Sequence, residues 1–353
     1  MTYFKRYFLH RLRSTTFRSI VLAVITVIVT FVSVNNSARI YYADERLLCD
    51  TGIYFMIYLA MASVIIFPIL ETAELKKPRS LDLVFAFPIT KGQLALVHYL
   101  SGAIQMLFIN AVSAAVNVFV HLTKGFGLKS FWIIPAYLSI IPIMICFYSV
   151  AIFLFSQGNT LGDGIAFVVG VPLALYGIMW CTSGCLSEFD EIFYNCFDAY
   201  VISLNICDFT GMLGFPVNFF SQLLDVANTE PAELMGTNII PILVVWMISG
   251  IASVFGFIHY TKNYRTENAG GISDSLFGYK TLIPICAICA VIIMGLKGLT
   301  LFSYELDIVL LLVAMAIGYF VYRRSFRIKP SDISVIVYVG ILWTIFVRIP
   351  TFF

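Results

Sequence analysis

The sequence is dominated by a succession of apolar runs, most of them about as long as a helix that crosses a bilayer. Such a helix needs about 20 predominantly apolar residues, with a range of about 17 to 25. Of the 353 residues, 60% are hydrophobic and 12% are charged, and that charged fraction is about half of the value for an average soluble domain. The pattern therefore predicts an all-α polytopic membrane protein.

Nine runs qualify as membrane segments, which gives about eight or nine transmembrane helices. The last three runs are the shortest, and the ninth also fits a position in the membrane interface. The runs are Ser19–Val34, Gly52–Leu70, Tyr99–Leu122, Phe131–Ser156, Gly164–Cys181, Asn238–Tyr260, Thr281–Leu296, Ile308–Tyr322 and Ser334–Val347.

The distribution of Lys and Arg predicts the orientation, because loops rich in these residues remain in the cytoplasm. With a cytoplasmic N-terminus and alternating spans, 16 of the 22 Lys and Arg residues lie inside and the other six outside. The basic stretch Met1–Arg18 leads straight into the first run, which is not the pattern of a cleavable signal peptide. We therefore expect a plasma-membrane protein whose N-terminus is cytoplasmic.

The long connection between the fifth and sixth runs is unusual for an outer loop. From Leu186 to Thr237 it contains eight carboxylates and no Lys or Arg, yet its middle, "YVISLNICDFTGMLGFPVNFFSQLL", is strongly apolar. Gly211, Gly214 and Pro216 interrupt that middle part, so a single spanning helix is disfavoured. We expect a pair of short re-entrant helices that form a lid, because irregular backbone at membrane depth must be covered by protein or line a wet cavity.

The connection between the second and third runs reads "AELKKPRSLDLVFAFPITKGQLALVHYLSG". Pro78 favours the first turn of a helix, and Pro88 ends it. Between the two prolines, Leu81, Val84 and Phe85 share one helical face. We call residues 78–91 the handle. Its short amphipathic helix fits either the lipid surface or a groove on a partner protein.

The handle resembles the loop after the second helix in permeases of the type-2 ATP-binding-cassette exporter family. A basic residue, a short apolar helix and an "(L/F)P(I/V)(S/T)(K/R)" turn recur there, and they match Arg79 and the run Phe87-Pro88-Ile89-Thr90-Lys91. The layout of residues 1–260 is also similar to the permease domain of that family, with a basic amphipathic N-terminus, six spans and re-entrant helices between the fifth and sixth. Residues 261–353 depart from it by adding two or three helices, an extension that resembles peptide-antibiotic export or immunity permeases.

The resemblance implies that the handle is a coupling helix seated in a cleft of a separate ATPase subunit. It implies a bacterial exporter that moves an amphipathic peptide, antibiotic or lipid-like substrate, in which a second permease, identical or related, completes the path. ATP and Mg²⁺ would be bound by the ATPase and not by this chain. The ATPase-coupling residues would be Arg79, Leu81, Val84, Phe85, Phe87, Pro88 and Lys91.

The chain has no phosphate-binding loop of the form G-x-x-x-x-G-K-[ST], so it is not expected to hydrolyse ATP. It also lacks the H-E-x-x-H and G-x-S-x-G motifs of metalloproteases and serine hydrolases. Glu71, Glu74, His98 and His259 are the conceivable members of a metal site, but their positions also fit interfacial residues at helix ends. We therefore expect a chain without catalytic residues and without a metal.

The polar residues within the runs are almost all uncharged hydroxyl and amide side chains. Charged groups in a bilayer are costly and usually functional, and their scarcity argues against an ion-coupled carrier. Gln105, Asn110 and Asn117 are candidates for a substrate pathway, although hydrogen bonding between helices is the commoner role of such residues. Cys286 and Cys289 are expected to pack as small apolar residues, whereas the cysteines outside the runs could remain free or form a bridge.

Two other functions stay open. A permease-like protein could act as a sensor or scaffold that detects an antimicrobial without transporting it. A membrane-embedded enzyme is the less favoured alternative, because the sequence shows no titratable cluster that would perform its chemistry.

Overall fold

A computed structural model describes residues 3–40, 45–77, 88–124, 133–188, 239–265, 267, 269–273, 275–297 and 303–345. Within these ranges the chain is all-α. The α-helices are α1 (Tyr3–Ile40), α2 (Glu45–Thr72), α3 (Lys91–Thr123), α4 (Ile133–Gln157), α5 (Leu161–Glu188), α6 (Ile239–Asn263), α7 (Tyr279–Lys297), α8 (Tyr304–Arg323) and α9 (Pro330–Trp343). A 3₁₀ turn over Ala73–Lys76 follows α2.

Each predicted run overlaps one of these helices, and the prediction of a polytopic helical membrane protein is confirmed. Seven of the described helices, α1 to α6 and α8, are long and apolar enough to cross a membrane. The apolar stretches of α7 and α9 are shorter, 10–17 residues. The predicted re-entrant helices with Gly211, Gly214 and Pro216 lie outside the described residues, and so does the predicted helix between Pro78 and Phe87.

Local chemistry explains where several helices begin and end. Ser303 precedes α8, and its hydroxyl accepts a hydrogen bond from the Leu306 amide, which satisfies one of the free donors of a first turn. Arg324 ends α8 in the left-handed conformation, with φ of 51°. Pro330 then begins α9 at a position where a missing N–H costs nothing.

The described residues group into two compact units, and the first contains α1, α2, α3, most of α4, and α6. In this unit α3 packs against α1, α2 and α6. Its interior is formed by fully buried side chains such as Leu94, Met106 and Tyr148. A Cβ atom added at Gly250 would lie 2.9 Å from the Cα of Cys146, so this glycine permits the close approach of α6 to α4.

The second unit contains the end of α4 together with α5, α7, α8 and α9. Phe167 and Ala174 of α5 pack against Leu282 of α7. On α7, Ala287 and Val291 belong to a further cluster with α8 and α9, which is closed by Trp343. Helix α7 is therefore well packed, although its apolar stretch is shorter than those of the seven candidate spans.

The division into a permease core over residues 1–260 and an extension over residues 261–353 stays a prediction. The compact units are defined by packing and not by function. In the second unit, α7 from the predicted extension packs directly on α5 from the predicted core.

Candidate functional site

The structure describes the C-terminal end of the handle. Pro88, Thr90 and Lys91 are placed, whereas Arg79, Leu81, Val84, Phe85 and Phe87 lie outside the described residues. Thr90 is the N-cap of α3, and its hydroxyl accepts a hydrogen bond from the Gln93 amide at 3.3 Å. The Gln93 side chain in turn accepts from the Thr90 amide at 3.2 Å. The turn that carried the family resemblance is thus a capping box, a local device that fixes where a helix starts.

Replacing Thr90 with alanine should lower the free energy of unfolding by about 1 kcal/mol, because the amide of Gln93 loses its acceptor. Thr90→Ser retains the hydroxyl and should stay within a few tenths of a kcal/mol of the parent. Unfolding of both variants in mixed detergent micelles measures the difference. Equal stability of Thr90→Ala and the parent would contradict the role of the cap.

Lys91 is held by the end of another helix. Its ammonium donates to the backbone carbonyl of Tyr264 at 2.7 Å, just after α6 ends at Asn263. A cation at the C-terminal end of a helix is favourable, because carbonyl groups there lack partners and the helix dipole is negative. Burial raises the pKa of the Tyr264 phenol to about 12, so its hydroxyl stays neutral at physiological pH.

On the other side of the handle, Lys76 is buried at 8% exposure. Its ammonium donates to the carbonyl of Ser156 at 2.7 Å and also to the carbonyl of Gly158. The same ammonium lies 5.7 Å from the centre of the Phe155 ring. Lys76 therefore caps the C-terminal end of α4, and the sequence gave no signal of this contact, which joins residues 80 and more positions apart.

The centre of the first unit is a buried ion cluster around Glu71, at the C-terminal end of α2. The side chain of Glu71 is fully buried. The Arg18 guanidinium is paired with Oε1 of Glu71, and Nε of Arg11 lies 3.4 Å from Oε2. Both arginines belong to α1, so one carboxylate joins the first two helices of the chain.

Helix α3 contributes the amide side of the same cluster. The Gln105 amide nitrogen donates to Oε1 of Glu71 at 2.9 Å, and its oxygen accepts from Arg18 at 2.7 Å. His98 is also fully buried, and its Nδ1 lies 3.9 Å from Oε2 of Glu71. The Glu71 carboxylate thus meets the requirement that a buried charge be paired and hydrogen-bonded.

A glycine makes room for this arrangement. A Cβ atom added at Gly102 of α3 would lie 2.9 Å from Cγ of Glu71. Cβ atoms in real structures do not come so close to another heavy atom. Backbone carbonyls also accept from the arginines, since Arg18 donates to the carbonyl of Leu70 at 3.2 Å and Arg11 to that of Glu71 at 3.4 Å. Glu74, half exposed, binds Arg11 at 2.7 Å at the edge of the cluster.

The cluster adds burial to what the sequence indicated. Glu71 and His98 were interpreted as interfacial residues at helix ends. Glu71 does lie at the end of α2, and both side chains are fully buried. His259 does not join them, since its Nε2 lies 3.0 Å from the Asn263 amide on an exposed face of α6. Among the described residues, no three His, Cys, Asp or Glu side chains are arranged to hold a metal ion.

The three predicted pathway residues are all buried. Gln105 belongs to the ion cluster. The Asn110 amide donates to the Ser63 hydroxyl at 2.9 Å, which links α3 to α2, and the Asn117 amide donates to the carbonyl of Ser113 at 3.3 Å. A pathway role for these residues stays a prediction.

The cysteines with described side chains are Cys146, Cys181, Cys286 and Cys289. Cys181 and Cys289 are buried, and the thiol of Cys181 lies 3.4 Å from the carbonyl of Cys289. This contact links α5 to α7 without a covalent bond.

The arrangement joins α1, α2 and α3 through ion pairs and hydrogen bonds. Glu71, at its centre, precedes the handle by seven residues in the sequence. Comparison of the chain with models of protein families, with curated proteins and with solved structures finds no match.

Proposed function

We propose that this chain is the transmembrane subunit of an ATP-driven exporter. It moves an amphipathic substrate, such as a peptide, an antibiotic or a lipid-like molecule, out of a bacterial cell. ATP is bound and hydrolysed by a separate ATP-binding-cassette subunit, and a second permease, identical or related, completes the translocation path. The N-terminus lies in the cytoplasm, and this chain carries no catalytic residue.

The observation that supports this proposal best is the buried ion cluster beside the handle. Glu71 binds Arg11 and Arg18 of α1 and Gln105 of α3, and the handle starts seven residues after Glu71. Because unpairing a buried charge is expensive, these three helices move together. A partner that pushes on the handle would therefore displace a bundle of helices and not a single loop.

The far end of the handle is anchored in the same unit. Lys91, its last residue, binds the carbonyl of Tyr264 at the end of α6. Force applied through the handle thus reaches α3 directly and α6 through one charge-assisted hydrogen bond. This is the mechanical requirement of a permease whose energy comes from a motor outside the membrane.

The polar contents of the described helices also suit an externally powered permease. The two arginines and the glutamate of the cluster neutralise one another in part, and Asn110 is hydrogen-bonded between helices. A proton- or ion-coupled carrier needs carboxylates or histidines along a path through the membrane. In the described helices three carboxylates are buried: Glu71 and Asp332 are bound by arginines, and Asp307 lies in the first turn of α8.

The test is co-purification of the tagged chain from its native membrane. We expect a stoichiometric ATPase in the parent and in Phe85→Leu, which keeps an apolar side chain on the docking face. Phe85→Asp should weaken ATPase binding about thirtyfold, the loss typical of a central interface residue. Leu81→Asp should act in the same direction, and both charged variants should still insert into the membrane.

A chain that purifies without an ATPase would contradict the exporter proposal and would favour the sensor or scaffold, or less readily the membrane-embedded enzyme. An ATPase that stays bound to Phe85→Asp, with normal transport, would contradict the role of the handle alone. In that case the amphipathic segment would be a lipid anchor.

A further inference from the structure

The second unit exposes large apolar side chains beside cations at one end of its C-terminal helices. Phe326 is 91% exposed and Leu276 is 79% exposed. Lys280, Arg327 and Lys329 are exposed next to them in the chain. We call these five residues the α7–α9 patch.

The members of the patch lie at the same end of three packed helices. Leu276 and Lys280 flank the start of α7, whereas Phe326, Arg327 and Lys329 lie between the end of α8 and the start of α9. The two regions are adjacent, because the Tyr279 and Tyr322 rings are 6.0 Å apart. Since α8 qualifies as a membrane span that ends at Arg323, the patch lies where the span leaves the membrane.

Neighbouring carboxylates do not neutralise these cations. Asp332 is bound by both nitrogens of the Arg323 fork at 2.7 and 2.8 Å. Asp163 is bound by Arg324 at 3.0 Å. From Arg324 to Lys329 the sequence contains three cations, the third being Arg327, and no acid. Glu267 is exposed on the connection before α7, and Asp274 lies outside the described residues.

Arg323 and Arg324 also hold the backbone next to the patch in place. Arg324 donates to the carbonyl of Gly270 and to the Thr160 hydroxyl, which connects the α8–α9 turn to the loop before α7. Arg323 lies over the Tyr322 ring at 5.1 Å. Arg323 and Arg324 therefore fix the backbone next to the exposed cations. The phenyl ring of Phe326 packs against that of Phe320, with the ring centroids 5.5 Å apart.

We propose that the α7–α9 patch binds an anionic phospholipid of the surrounding leaflet. The exposed leucine and phenylalanine side chains would enter the boundary between head groups and acyl chains, and the lysine and arginine stems would extend their charges to the phosphates. A lipid leaflet supplies phosphates for the cations and an apolar layer for the exposed leucine and phenylalanine side chains. Water would solvate the cations but leave the apolar side chains exposed. The assignment to the inner leaflet rests on the proposed orientation, and lipid binding itself does not.

The experiment uses the purified full-length chain in nanodiscs of phosphatidylglycerol and phosphatidylcholine, with retained lipids counted by native mass spectrometry. A nanodisc presents the same lipids to both faces, so the result is independent of orientation, of the ATPase and of transport. The test variant is Lys280→Gln/Arg327→Gln/Lys329→Gln. Its matched control, Lys280→Arg/Arg327→Lys/Lys329→Arg, preserves every charge.

We expect the parent and the charge-preserving variant to retain phosphatidylglycerol in preference to phosphatidylcholine. The charge-removing variant should lose at least about tenfold of that preference, since each cation near an anionic surface contributes measurably, and salt at about 1 M should have a similar effect on the parent. Circular dichroism of each variant verifies that the helices are intact.

Three results would overturn the proposal. The parent could show no preference for the anionic lipid, or the charge-removing variant could retain it fully. The charge-removing variant could also release a co-purifying protein while its lipid preference stays unchanged, which would assign the patch to a protein partner. A failed search for the ATPase leaves the lipid result intact, so the two proposals fail separately.

Discussion

Replacing Glu71 with glutamine should lower the free energy of unfolding by about 3–5 kcal/mol, the range measured when one partner of a buried ion pair is removed. The carboxylate is fully buried, and after the change Arg18 would have only neutral acceptors, namely the introduced amide oxygen, the Gln105 side chain and the Leu70 carbonyl. A neutral amide cannot compensate a desolvated guanidinium. Unfolding in mixed detergent micelles, followed by circular dichroism, measures the loss.

Glu74 is the matched control, because it binds the same Arg11 but has a side chain that is 49% exposed. Glu74→Gln should cost at most about 1 kcal/mol, as is typical of exposed ion pairs. Similar losses for the two glutamates would contradict the buried cluster. The comparison separates the effect of burial from the effect of removing one negative charge at this end of α2.

A double-mutant cycle tests the pair directly. Arg18→Met removes the cation that faces Oε1 of Glu71, and the double variant should be more stable than the sum of the two single losses predicts. For residues in one network we expect a coupling of about 0.5–3 kcal/mol. Additive losses would show that Arg18 and Glu71 act independently.

Replacing Lys76 with methionine should lower the free energy of unfolding by about 1–3 kcal/mol. Methionine keeps the apolar stem, but the buried carbonyls of Ser156 and Gly158 at the end of α4 lose the hydrogen-bond donor that Lys76 supplies. The same unfolding assay measures the change.

The neighbouring Lys77 provides the control, since it carries the same side chain in an exposed position. Lys77→Met should change stability by less than about 1 kcal/mol. If Lys77→Met were as destabilising as Lys76→Met, the effect would come from the loss of positive charge in this region, and the capping of α4 by Lys76 would be wrong.

The sequence by itself determined the helical, membrane-spanning character of the chain. A bilayer imposes a length and an apolarity on every span, so a linear pattern is sufficient to locate it. All nine apolar runs overlap helices, and the Pro88-Ile89-Thr90-Lys91 turn indicated that a new helix follows it, as α3 does. These features depend on residues that are close in sequence.

The ion cluster was not predictable in the same way. Arg11 and Arg18 were assigned to topology and Glu71 to a helix end, because each lies beside an apolar run and has an ordinary interfacial explanation. Their pairing spans 53 residues between Arg18 and Glu71 and 87 between Arg18 and Gln105. The sequence does not mark Arg18, Glu71 and His98 as intramembrane residues, because the predicted runs begin or end within one residue of each of them.

Only the tertiary structure decided which polar groups are buried together. Helix formation is specified by backbone hydrogen bonds and local composition, whereas burial depends on which helices become neighbours and at what height. The glycine at position 102 allows Glu71 to reach α3, and the carbonyls at the end of α4 receive Lys76 from a distant part of the chain. The sequence determined that this chain forms membrane helices, and packing decided which of its charges hold those helices together.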